Sequence, residues 1–116
     1  MKTMKMPNHE YAQCLIIEND GGDYYGGDYT LQSYSTIIVT VEKDGWMRCN
    51  GLYSRTTIKH IGWFMRYISE KFGVKVSYYD AKWCYEHNSV MNILTGEVKT
   101  YGEFYEWGEM DEKATA

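Results

Sequence analysis

Residues 54–72, SRTTIKHIGWFMRYISEKF, decide the fold, because in this segment the period, the start signal and the stop signal agree. Apolar side chains recur at steps of three and four, which places them on one face of an α-helix. Ser54 can cap the first turn, and Gly73 can adopt the left-handed conformation that ends a helix. The buried stripe is predicted to consist of Ile58, Ile61, Phe64, Met65, Ile68 and Phe72.

The segments before this helix are typical of β-strands. Residues 11–18 form a short apolar run with β-branched side chains. Residues 29–42 are rich in threonine, valine, isoleucine and tyrosine, and their centre is apolar on both faces, so we expect one central strand. Asp44-Gly45 favours a hairpin turn, after which residues 46–53 return antiparallel.

The segments after the helix are less regular. Residues 74–79, VKVSYY, alternate and predict another strand, whereas 80–89 have no dominant period and fit a bulged strand or a loop. Residues 90–94 and 97–101 flank Thr95-Gly96 and predict a second hairpin. The predicted fold class is α+β, an antiparallel sheet of about five or six strands with one main helix packed on one face.

Length and composition bound the class of protein. The 116 residues, 44% of them apolar, suffice for one modest core, so 1–116 is expected to be a single domain with flexible ends at 1–10 and 109–116. No apolar run approaches the length of a membrane span, and the first ten residues lack the apolar region of a signal peptide. A cytoplasmic protein is therefore expected.

The three cysteines, Cys14, Cys49 and Cys84, each lie in an apolar or aromatic setting, and no two of them form a C-x-x-C motif. This favours reduced, buried thiols over a disulfide or a metal site. We expect no metal and no cofactor.

Residues 19–29, NDGGDYYGGDY, cannot form regular structure, because glycine costs backbone entropy and aspartate prefers turns. They fit a flexible solvated turn, a tyrosine-rich contact loop or a weak Ca²⁺ or Mg²⁺ site. The alternate oxygen spacing of an EF-hand loop is absent.

A strand motif followed by a helix-start motif resembles a group of small uncharacterised proteins of phages and mobile elements. The group carries SY-x-T in a strand and YS-x-TT-x-x-H-I at a helix start. This resemblance covers about residues 31–68 and implies no activity. It implies a genomic setting in which small accessory proteins bind host or defence machinery. The matching residues are Ser33, Tyr34, Thr36, Tyr53, Ser54, Thr56, Thr57, His60 and Ile61.

His60 raises the question of catalysis, because a histidine beside Cys49 or Ser54 could act as an acid or base. Nothing in the sequence supplies a third, orienting group, and a helix boundary explains the same residues without chemistry. We therefore expect no enzymatic activity. The stripe formed by Thr56, His60, Trp63 and Tyr67 remains a reserve candidate for a binding face.

Nucleic-acid binding is the alternative function. Arg55, Lys59 and Arg66 lie on the polar side of the predicted helix, and tyrosines for base stacking are abundant. The net charge of −4 argues against it, because phosphate contacts dominate such binding.

The favoured function is inhibition of a host or defence protein by a phage or mobile-element accessory protein, as in anti-CRISPR and other anti-defence inhibitors. Two acidic segments rich in aromatic residues would supply the contact surface, and their charge would seek a basic groove such as one that holds nucleic acid. A homodimer is left open, and no membrane partner is expected. The predicted partner-binding residues are Asp23, Tyr24, Tyr25, Asp28, Tyr29, Glu103, Phe104, Tyr105, Glu106 and Trp107.

Overall fold

A computed structural model describes residues 2–6, 14–19, 27–52 and 54–105. These ranges contain seven strands and three helices, an α+β fold as predicted. In chain order they are β1 Lys2–Lys5, β2 Cys14–Glu18, β3 Tyr29–Ser33, β4 Thr36–Val41, β5 Trp46–Cys49, α1 Arg55–Phe72, α2 Tyr78–Glu86, β6 Ser89–Asn92, β7 Val98–Thr100 and α3 Tyr101–Tyr105.

The strands form one antiparallel sheet whose spatial order is the order of the chain, from β1 to β7. Strands β5 and β6 are neighbours although α1 and α2 lie between them in the sequence. Both helices pack on the same face of the sheet and shield its core. The seven strands exceed the five or six expected.

Helix α1 begins and ends as the sequence predicts. The Ser54 hydroxyl accepts a hydrogen bond from the Thr57 amide, and Gly73 ends the helix at φ 67°. The predicted stripe faces the sheet, and four of its six members are fully buried, while Ile58 and Phe72 are partly buried. The buried four are Ile61, Phe64, Met65 and Ile68.

The predicted strand 29–42 is instead two strands joined by a turn at Tyr34 and Ser35. Tyr34 adopts φ 56°, and its carbonyl accepts a hydrogen bond from the Gln32 side chain at 3.0 Å. The run of consecutive apolar residues at 37–39 reflects a register shift between β3 and β4. Leu31 pairs with Val39, but the next residue, Gln32, pairs with Ile37. Ile38 is thus an extra residue in β4 and is buried beside Val39.

Helix α2 replaces the strand predicted at 74–79 and the loop or bulged strand predicted at 80–89. A capping box starts it: the Ser77 hydroxyl accepts from the Tyr79 amide at 3.2 Å, and the Asp80 carboxylate accepts from the Ser77 amide at 2.8 Å. Ala81 and Cys84 are its buried residues. Residues 74–77 form the linker before α2, and Tyr78 and Tyr79 lie in its first turn. The alternation in VKVSYY therefore does not reflect a strand.

The sheet also extends further at its edges than expected. Lys2–Lys5, placed in a flexible lead-in by sequence, pair with β2 as edge strand β1, and residues 7–13 lie outside the described part. The second hairpin is confirmed, with β6 paired to β7 and Gly96 at φ 80° in the turn. Asn92 ties it to the first hairpin, because its side chain donates to the Asp44 carbonyl at 3.1 Å.

Candidate binding groove around Arg48

The face of the sheet opposite α1 and α2 carries its own small cover. Along β5, Met47 and Cys49 are buried in the core, so the alternating Trp46 and Arg48 point to the other face. Helix α3 packs there, with the Phe104 ring 4.9 Å from that of Trp46.

Beside α3 the surface opens into a groove of about 590 Å³. Thr40 and Arg48, which face each other across β4 and β5, are among its lining residues. The other lining residues come from five places: the segment before β3, the ends of β4 and of β5, the C-terminal end of α2, and helix α3. They include Gly27, Ile37, Glu42, Asn50, Tyr85, Asn88, Tyr101 and Tyr105.

Arg48 is held between two tyrosine rings. Its guanidinium carbon lies 4.7 Å from the ring centre of Tyr101 and 5.3 Å from that of Tyr105, and Nη1 donates to the Tyr105 hydroxyl at 3.2 Å. No carboxylate in the described ranges forms an ion pair with this guanidinium. Its Nε–H is buried and has no hydrogen-bond acceptor among the described residues. Arg48 is thus a half-buried cation with unused hydrogen-bonding capacity.

Glu42 brings a carboxyl group into the same groove. Its Oε2 accepts from the Asp28 amide at 3.3 Å, and Asp28 Oδ2 accepts from the Lys43 amide at 2.8 Å. Burial, with the nearby Asp28 carboxylate, raises the pKa of Glu42. Gly27 lies close beside it, and a Cβ there would lie 2.5 Å from Glu42 Oε1, so a larger residue at this position would displace the Glu42 side chain.

The ten predicted contact residues fall into three groups: five outside the described residues, two beside the groove and three with contacts inside the fold. Asp23, Tyr24 and Tyr25 lie outside the described residues, as do Glu106 and Trp107.

Two of the predicted contact residues lie beside the groove. Asp28 holds Glu42 and the turn after β4, and Tyr105 lines the groove and is 41% exposed.

The remaining three predicted contact residues make contacts within the fold. Tyr29 packs on the helix face of the sheet, 5.3 Å from the Phe72 ring, and Phe104 packs on Trp46. Glu103 accepts from the Thr100 amide at 2.9 Å. That backbone hydrogen bond lowers the pKa of Glu103.

The residues of the alternative nucleic-acid face, Arg55, Lys59 and Arg66, are exposed on α1. None of the three lines the groove. The reserve stripe beside them is not an open surface: His60 is fully buried, with Nδ1 3.0 Å from the Ser33 hydroxyl. Trp63 is partly buried against the core.

The three cysteines are free and buried, as predicted. Burial raises the pKa of the Cys14 and Cys84 thiols to about 12 and that of Cys49 to about 11. They are therefore protonated and shielded near neutral pH. Within the described part of the chain, no group of three or more His, Cys, Asp or Glu side chains is placed to hold a metal ion.

Sequence reasoning missed the centre of this groove. Arg48, Glu42, Tyr85 and Tyr101 were assigned no role. One available signal was the register of the Asp44-Gly45 hairpin, which places Arg48 opposite Thr40 on the face away from Met47.

Comparisons with known proteins give a family and no further relatives. Residues 3–80 match the family described as a family of unknown function, DUF8033. No curated protein and no solved structure matches the chain. None of the helices among the described residues has the length and apolar character needed to cross a membrane.

Proposed function

The chain belongs to DUF8033, a family of unknown function, and we propose that it is a non-enzymatic accessory protein of a phage or mobile element. It binds and inhibits a host or defence protein in the host cytoplasm, in the manner of an anti-CRISPR or other anti-defence inhibitor. The supporting observation is that the two predicted contact segments meet at one groove. Gly27, near the end of the tyrosine-rich loop (residues 19–29), and Tyr105, near the start of the acidic tail (residues 102–116), both line it.

The groove would be the centre of one composite contact surface. Tyr85 and Tyr105 are 43% and 41% exposed there, and exposed tyrosines make effective anchors at protein interfaces. The carboxylates of Asp23, Asp28, Glu103 and Glu106 would steer the protein toward a basic partner surface, such as a groove that holds nucleic acid.

The surroundings of His60 and of the three cysteines support a binding role rather than catalysis. His60 and the three thiols are buried in the core, where a substrate does not reach them. Their contacts join α1, α2 and the sheet.

The test begins with capture of the partner from host lysate and measures affinity for the purified partner. We expect Tyr24→Ala/Tyr25→Ala, Tyr105→Ala, and deletion of residues 106–116 each to weaken binding by about tenfold or more, the loss of one anchor. Tyr79→Ala is the matched control, because Tyr79 is 73% exposed and does not line the groove. Thermal melting would verify that each variant folds. Full affinity in all three folded variants would refute the proposed surface.

Nucleic-acid binding through α1 stays a second candidate, because Arg55, Lys59 and Arg66 are all exposed at steps of four and seven along one helix. Reversing the three charges should then abolish binding, and wild-type affinity should fall steeply with salt. Failure to bind DNA or RNA at low salt would dismiss this candidate.

A further inference from the structure

We propose that the groove around Arg48 is a binding site for a mononucleotide, a ligand that joins a phosphate to a planar base. Its volume of about 590 Å³ lies within the range of small-molecule sites. The inference is independent of the proposed partner, because it rests on three chemical features of the groove itself.

The first feature is a cation that has no counter-ion among the described residues. Arg48 has one side-chain hydrogen bond to the described residues, to Tyr105, and forms no ion pair with a described carboxylate. A partly desolvated guanidinium is stabilised by an anion, and its planar donors match a phosphate. The two tyrosine rings fix its plane, so little side-chain entropy is lost when the anion binds.

The second feature is an open aromatic surface. Tyr101 and Tyr105 already contact the guanidinium, whereas Tyr85 is 43% exposed and makes no ring contact with another described aromatic side chain. A base can stack on such a ring regardless of its identity, with about 1–3 kcal/mol per stacked base in single-stranded nucleic-acid complexes. A simple carboxylate or phosphate would leave this surface unused.

The third feature is a set of polar groups that can read the edge of a base. The Asn88 side-chain amide has no hydrogen-bond partner among the described residues. The Asn50 side chain donates to the Ile37 carbonyl at 3.1 Å, and its oxygen accepts from none of the described residues. Glu42 adds a carboxyl group whose oxygens can accept hydrogen bonds, and burial raises its pKa. Glu42 lies two residues beyond Thr40, so this end is about 7 Å from Arg48 along the strand.

The experiment titrates the ¹⁵N-labelled full chain with each of the four ribonucleoside monophosphates and follows amide shifts. Nucleosides without phosphate and inorganic phosphate are separate arms. We expect at least one monophosphate to shift amides around Arg48 and Tyr85, with an affinity at least tenfold above both its nucleoside and inorganic phosphate. No shift at millimolar nucleotide, or equal affinity for inorganic phosphate, would overturn the proposal.

Variants locate the site. Arg48→Gln and Tyr85→Ala should each lower nucleotide affinity at least tenfold, whereas Lys75→Gln, which removes an exposed cation that does not line the groove, should leave it unchanged. Because removal of Arg48 disturbs the tyrosine pair, Tyr85→Ala carries the decision if Arg48→Gln does not fold. Affinity unaffected by Tyr85→Ala, or lost with Lys75→Gln, would place binding elsewhere and refute the site. Neither measurement involves the protein partner, so this proposal and the proposed function fail separately.

Discussion

His60 shows how one buried polar side chain joins the main helix to the sheet. It lies on α1, is fully buried, and its Nδ1 is 3.0 Å from the hydroxyl of Ser33, the last residue of β3. This contact gives the buried Nδ1 a hydrogen-bond partner and joins α1 to the end of β3. The residue that most suggests catalysis in the sequence therefore contributes to packing.

The buried thiols predict how stability depends on pH. Burial raises the pKa of Cys14 to about 12, above roughly 8.5 for an unfolded thiol. The folded state therefore holds this proton more tightly, and the contribution is present below the unfolded pKa and lost as pH rises toward the folded value. Each thiol can add a slope of about 1.4 kcal/mol per pH unit in that window. We expect the free energy of unfolding to fall between about pH 9 and 11, measured by urea denaturation.

The control for this prediction compares slopes rather than absolute stabilities. Cys14→Ala should flatten the decline, although it also lowers stability by leaving a cavity. Leu94→Ala should not change the slope, because it alters an exposed side chain that carries no ionisable group. Equal slopes for Cys14→Ala and the wild type would contradict the assignment.

At the scale of elements, the α1 stripe is the strongest packing determinant. Ile61 and Ile68 are fully buried, so replacing either by Ala removes three methyl or methylene groups from a closed core. We expect a loss of about 2–4 kcal/mol in the free energy of unfolding for each variant, measured by urea denaturation.

Ile58→Ala provides the matched control, because Ile58 lies on the same stripe but is only partly buried. Its loss should be clearly smaller. Losses near zero for both Ile61→Ala and Ile68→Ala would show that the stripe is not core.

Elements were predictable from sequence where local signals and tertiary packing agree. For α1, the period, the Ser54 cap and Gly73 all act within one segment, and the two predicted hairpin turns carry Asp44-Gly45 and Thr95-Gly96. Helix α2 was missed because only Ala81 and Cys84 are buried in nine residues, which leaves almost no periodic pattern. Residues 29–42 were predicted as one strand because the turn at Tyr34 and Ser35 contains no glycine or proline, and because the bulge makes the apolar centre look two-sided.

The groove could not be predicted because its members meet only in the tertiary structure. Arg48 from β5, Tyr85 from α2 and Tyr101 from α3 are far apart in sequence, and each alone resembles an ordinary surface residue. The two predicted contact segments each contribute one residue to the groove lining, Gly27 from residues 19–29 and Tyr105 from the acidic tail. Their carboxylates and rings act partly inside the fold, as Tyr29 and Glu103 show.

At the scale of the whole molecule, an open sheet has two edges that must not pair with other chains. Strand β1 forms one edge and carries two exposed lysines, Lys2 and Lys5, among its four residues. Charged lysines on an edge strand disfavour addition of another strand. We expect Lys2→Val/Lys5→Val to raise self-association, seen as an average mass that increases with concentration in light scattering.

Lys75→Val controls for lost charge and added apolar surface, because Lys75 is exposed in the linker before α2. It should behave like the wild type. If the double variant and the wild type show the same masses over the same concentrations, the lysines do not protect this edge.

The agreement between chain order and strand order has a consequence for biosynthesis. As the chain leaves the ribosome, β2, β3, β4 and β5 each emerge next to a strand that is already present, so hairpins can close locally. The β5 and β6 ladder must wait until α1 and α2 have emerged. Until then the edge of β5 is uncovered, and an uncovered strand edge on a nascent chain can pair with the wrong strand.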